Sequence, residues 1–116
     1  MRDIQNTMRS LGITRCYTGY KQLHYAINLS VSNRTTKLTL RHLYTETAAY
    51  YGCKWTSVER NIRTLAARAW KINPDLLSEM SGYPLTSAPS ASELIELISA
   101  YVLEDAAQSE KYSSGS

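Results

Sequence analysis

The stretch from Leu43 to Trp70 constrains this chain most. It contains a helical pattern, a single glycine at Gly52, and a second helical pattern that starts between Lys54 and Thr56. A glycine at that point lets the first helix close with a left-handed residue, which a side chain would resist. Thr56 and Glu59 have the hydroxyl-to-carboxylate spacing of a capping box, so the second helix is expected to open there. Ala48, Gly52 and Val58 fall where two helices joined by a tight turn need a small residue, a turn residue and a branched packing residue. The expectation is a helix-turn-helix.

The second helix of the pair has two unlike faces. At 100° per residue, Val58, Ile62, Leu65 and Ala69 form one apolar stripe. Thr56, Arg60, Arg63, Thr64 and Ala67 fall opposite, with Glu59 at the edge. Arg60 and Arg63 therefore project together from one turn. Such a face suits a DNA major groove, where arginine binds guanine bidentately and glutamate accepts from cytosine N4. An ordinary solvated helix with a few arginines has the same spacing.

The remaining chain reads as helices and irregular connectors, with no strand pattern. A first helix is expected from about Asp3 to Leu11, stopped by Gly12, and a second from about Thr18 to Ser32. Ser32 to Thr36 reads as a polar loop, and a third helix follows from about Leu38 to Tyr51. The recognition-type helix continues to Trp70 or Ile72. Asn73 and Pro74 open a short fifth helix that ends at Gly82. Ser90 and Glu93 form another capping box, opening a sixth helix to about Leu103. Its broad apolar surface suits either burial against the fourth and fifth helices or a contact between two copies. The fold expected is all-α: a compact domain of about six helices over residues 1–104, with a disordered acidic and polar tail over 105–116.

Charge divides along the same line. Residues 1–72 carry a net +9 and residues 73–116 a net −6, giving the overall +3. A basic part holding the helix pair and an acidic remainder fit a polyanion-binding face with a solvated back. No apolar run approaches the ~20 residues of a membrane helix, and the N-terminus lacks a signal core, so a cytoplasmic, nucleoid-associated protein is expected. Cys16 and Cys53 lack metal-ligand spacing with each other or with His24 and His42; neither metal nor cofactor is expected, and both thiols read as small buried residues. Trp55 is expected to pack rather than stand in solvent. No catalytic constellation stands out, so the chain does not read as an enzyme.

Several blocks together carry a resemblance. Val58-Glu59-Arg60-Asn61-Ile62-Arg63, with Ala69-Trp70 after it, resembles the recognition helix of the DNA-binding effector domain of the master response regulator of sporulation. That family has Val-Glu-Arg-Ala-Ile-Arg, ending in Ala-Trp. Leu11-Gly12-Ile13, Gly19-Tyr20 through Ala26-Ile27, and Leu43-Tyr44 with Ala48 resemble its other blocks in the same order, from about Ile4 to Val102. The resemblance implies a helical domain that binds duplex DNA at sites resembling TGNCGAA, often in tandem pairs. It puts Glu59, Arg60 and Arg63 at the base-reading positions. With them, Lys54, Thr56, Ser57, Thr64 and Arg68 complete the expected DNA-facing set.

The chain departs from the family in four ways. Ser57 replaces an arginine, Trp55 replaces a small residue, and Leu103-Glu104-Asp105 replaces a basic helix end. The phosphorylatable receiver domain is not expected in this sequence, so a protein partner could stand in for it. Double-stranded DNA is the expected partner, with a homodimer formed weakly or on DNA. The alternative is a stand-alone helix-turn-helix protein from a mobile element that binds a protein or nucleoprotein complex as an inhibitor.

Overall fold

The computed structural model describes residues 3–33 and 39–115, with side chains as far as Leu103. Among the described residues six helices follow in order: α1 (Ile4–Ser10), α2 (Tyr20–Ser32), α3 (Leu40–Tyr51), α4 (Trp55–Ile72), α5 (Pro74–Ser81) and α6 (Ala91–Gly115). No strand occurs among the described residues. The architecture is the all-α one the sequence implied.

Most helix boundaries are fixed by local chemistry. Asp3 caps α1 by accepting from the Gln5 amide at 2.9 Å. Thr39 does the same for α3 through the His42 amide, and Asn73 for α5 through the Leu76 amide. The capping box of α6 is formed in both directions: Glu93 accepts from the Ser90 amide at 2.9 Å, and Ser90 Oγ accepts from the Glu93 amide at 3.2 Å. Gly52 closes α3 at φ +66°, as the turn required. The helical path of α6 runs beyond the end expected near Leu103. The side chains after that residue, and with them the expected disordered tail, lie outside what is described. So do residues 34–38, which cover most of the expected polar loop and the expected start of the third helix.

One cap differs from expectation. Lys54, not Thr56, is the N-cap of α4, and it makes no side-chain capping bond. The chain leaves Gly52 and is already helical at Trp55, which carries Thr56 into the first turn. The Thr56–Glu59 box therefore does not form. Glu59 lies instead beside Arg63, 3.9 Å away.

The core lies where α2, α4 and α6 meet, with α1, α3 and α5 packed around them. Val58, Ile62, Leu65 and Ala69 are all buried, joined by Ala66. Leu94, Ile95, Ile98 and Val102 of α6 are fully buried within the same cluster. Burying four such side chains contributes roughly 1.5–3 kcal/mol each before entropy is charged against it. That apolar surface is thus used inside the chain.

Candidate nucleic-acid interface

α3 and α4 are joined by Gly52, Cys53 and Lys54. The Cys53 amide donates to the Ala48 carbonyl at 3.0 Å, which folds the turn tightly back on α3. Tyr44 of α3 stacks on Trp55 at the start of α4, with centroids 6.5 Å apart. Trp55 nevertheless remains 47 % exposed. The expectation that the ring finds shelter is corrected to that extent: as the first residue of α4 it packs on Tyr44 of α3 but stays about half in solvent. Tyr44 itself is buried, its hydroxyl 2.9 Å from Ser92 Oγ. Burial pushes its pKa above the ordinary phenol value; the Ser92 bond opposes this and the Glu59 charge adds to it.

The outward face of α4 is continuous. Lys54, Thr56, Ser57, Arg60, Arg63, Thr64 and Arg68 are exposed, and Glu59 is half-buried at the edge. Arg63 and Glu59 form a loose surface pair, with side chains 60 % and 30 % exposed. Such a pair is worth well under ~1 kcal/mol, so it opens easily when a better partner arrives. Thr64 Oγ donates to the Arg60 carbonyl at 3.0 Å, which keeps that hydroxyl close to its own helix. The eight residues expected from the sequence thus share one helix and its leading turn. They do not all point alike: Arg68 lies toward one flank, its guanidinium over the Tyr17 ring at 4.6 Å.

That flank holds what the sequence did not reveal. The segment from Thr14 to Gly19 runs alongside α4 and turns into α2 at Gly19, φ +94°. Asn61 Nδ2 donates to Gln22 Oε1 at 2.9 Å, and Gln22 Nε2 approaches Cys53 Sγ at 3.6 Å. One glutamine therefore ties α4 to the turn that precedes it. Arg15, in that segment, and Lys21, in the first turn of α2, are exposed. Nothing in the spacing of these residues announces the contacts. Cys53 is half-buried in the turn, whereas Cys16 is exposed in the loop, contrary to the expectation of burial.

Among the described residues no group of His, Cys, Asp and Glu could hold a metal ion, and no helix is long and apolar enough to cross a membrane.

Two helices joined through a left-handed glycine, the second with a buried apolar stripe and a basic outer face, are consistent with a helix-turn-helix. The chain belongs to the family described as the sporulation initiation factor Spo0A C terminal, whose model matches residues 4–102. This is a family of DNA-binding regulatory domains of a transcription regulator, not of enzymes. No curated protein and no solved structure matches the chain.

Proposed function

We propose that this domain binds duplex DNA sequence-specifically as a transcription regulator in the cytoplasm, associated with the nucleoid. The helix from about residue 54 to 71 enters the major groove. Arg60 and Arg63 read guanine edges and Glu59 accepts from cytosine. Lys54, Thr56, Ser57, Thr64 and Arg68 meet the flanking backbone. The observation that carries this is Arg60: it stands exposed at the centre of the outward face while Val58 and Ile62, two residues to either side, are fully buried. The helix is thus anchored in the core in an orientation that presents Arg60 outward.

Two copies meet on tandem sites rather than in free solution, because the buried residues of α6 are already committed to the chain's own core. A second reading, a domain that blocks a protein or nucleoprotein complex, draws support from half-exposed Trp55 beside Lys54, an apolar surface that a protein would cover. A binding titration on a TGNCGAA-type duplex and a scrambled one separates the two. Arg60→Ala lowers the specific-to-scrambled affinity ratio by about 1–3 kcal/mol if α4 reads bases. An unchanged ratio favours the second reading.

A further inference from the structure

We propose that Trp55 is a further DNA-contacting residue: together with Lys54 it clasps one deoxyribose and its phosphate, on the strand that passes the hollow between α3 and α4. The proposal rests on α4 lying in a major groove and adds a residue outside the eight expected from the sequence.

The hollow has a volume of about 470 Å³. Thr45, Ala48 and Ala49 of α3 form one side, and Lys54, Trp55 and Thr56 the other. Lys54 and Thr56 also belong to the outward face proposed to meet DNA, so the hollow adjoins that face. The side chains of Ala48 and Ala49 stop at Cβ, which leaves the space beside the indole unfilled. Trp55 stacks on Tyr44, one turn before Ala48, yet keeps 47 % of its surface exposed. Among the described residues no hydrogen bond engages its indole N–H.

The charges around the hollow select an anion. No carboxylate lines it. The acids nearest in sequence are turned to other partners: Glu46 lies 3.5 Å from His42, and Glu59 lies 3.9 Å from Arg63. Lys54 is exposed and makes no ion pair among the described residues. An unpaired ammonium, an exposed aromatic ring and an unused N–H match the backbone of a nucleotide. The sugar presents C–H groups to the ring, and the phosphate accepts from the ammonium and the indole.

The position selects the source of that phosphate. In a helix-turn-helix the N-terminal residues of the second helix approach the bases while the first helix crosses the backbone. Trp55 is the first residue of α4, and the hollow lies between α3 and the first turn of α4. It therefore opens where the strand crosses the helix pair. Contacts to sugar and phosphate carry no sequence information, so the contribution is the same on any duplex.

The test compares the whole chain with Trp55→Phe, which keeps a ring against Tyr44 but lacks the N–H, and with Trp55→Ala. Circular dichroism checks that both fold. The chain has two tryptophans, so the indole N–H signal missing from Trp55→Phe belongs to Trp55. That signal shifts when either a specific or a scrambled duplex is added. Trp55→Phe weakens binding to both duplexes by about tenfold, the worth of a hydrogen bond to a charged group, and Trp55→Ala weakens it further. The salt slope stays at the parent value in both, because a neutral ring releases no counterion, whereas Lys54→Ala lowers it by about 0.9. An indole signal unmoved by DNA, with parent-like binding by Trp55→Phe, overturns the proposal, even if Trp55→Ala binds less well through a loosened turn. A loss confined to the specific duplex makes Trp55 a base reader and overturns the backbone contact. Arg60→Ala runs in parallel. If it erases discrimination while the indole signal stays put, only the Trp55 contact is lost. If the indole signal shifts on both duplexes while Arg60→Ala changes nothing, the backbone contact stands and base reading falls. A parent chain that binds neither duplex removes both and leaves the ring to a protein.

Discussion

Gly19 and Asn61 are packed so closely that a β-carbon on the glycine would stand 2.8 Å from that of the asparagine. Gly19 also sits at φ +94°, where a side chain is strained whatever the space. Gly52 shares the left-handed conformation, at φ +66°, but a β-carbon there meets nothing within 4 Å. The two glycines therefore separate backbone strain from collision. Gly52→Ala should cost about 1–2 kcal/mol, the left-handed penalty alone. Gly19→Ala should cost more, on the order of 3 kcal/mol, because the seam between α2 and α4 must also open. Urea unfolding of both variants measures this. Equal costs would mean that the seam yields freely.

Asn61 also holds that seam by hydrogen bond. Where the family pattern carries alanine, Asn61 donates to Gln22. Asn61→Ala should cost about 1 kcal/mol in thermal unfolding, the net worth of a part-buried hydrogen bond. Gln22→Ala should cost a similar amount, and the double variant little beyond either single one. Full additivity would show that the two side chains do not act as a pair.

Local and distant chemistry were unequally legible. Gly52, Asn73 and the Ser90–Glu93 box could be read directly, because a cap depends on residues at most three or four apart. The stripe Val58, Ile62, Leu65, Ala69 was legible for the same reason. The start of α4 was not: Thr56 and Glu59 had the right spacing, but helix already begun at Trp55 took Thr56 out of the capping position. Gln22 and Asn61 are 39 residues apart and meet through side-chain fit, which has no period. Gln5, Arg15, Lys21 and Tyr51, from α1, the following loop, α2 and α3, line one hollow that only the packing assembles.

Tyr44 gives the fold a dependence on alkaline pH. Burial is the main cause that raises its pKa above 10.0. The folded state therefore holds this proton more tightly than the unfolded chain does. Its contribution is complete below pH 10 and is lost as pH rises through the folded value. Melting temperature measured from pH 8 to 11 should fall more steeply for the parent than for Tyr44→Phe, which has no proton to lose. Parallel curves would mean that the phenol ionises without opposing the fold.

Lys54 places stability and binding in opposition. It occupies the N-cap of α4 without a capping bond, at a helix end that favours negative or neutral acceptors. Lys54→Asp should stabilise the domain by about 0.5–2 kcal/mol, since its carboxylate can accept from an amide of the first turn. The same change should weaken binding to specific and scrambled duplexes alike and lower the salt slope by about one, if the ammonium holds a phosphate. A variant that melts higher and binds DNA unchanged would remove Lys54 from the interface.

Ser57 offers a test by addition rather than loss. It is exposed in the first turn of α4, one turn before Asn61, which meets Gly19, and the family pattern has arginine there. Ser57→Arg restores a cation at a position where the buried neighbour Val58 fixes the helix orientation. The side chain is long enough to reach a strand running beside the groove, and no acid lies next to it in sequence but Glu59, already beside Arg63. The domain should then bind specific and scrambled duplexes more tightly by a similar factor, with the salt slope steeper by about 0.9. Stability should stay within about 0.5 kcal/mol, as for most exposed substitutions. A gain confined to the specific duplex would assign position 57 to base reading. No gain on either duplex would mean that the strand does not pass this flank of α4, and the docking with Arg60 at the centre of the groove would have to be rotated about the helix axis.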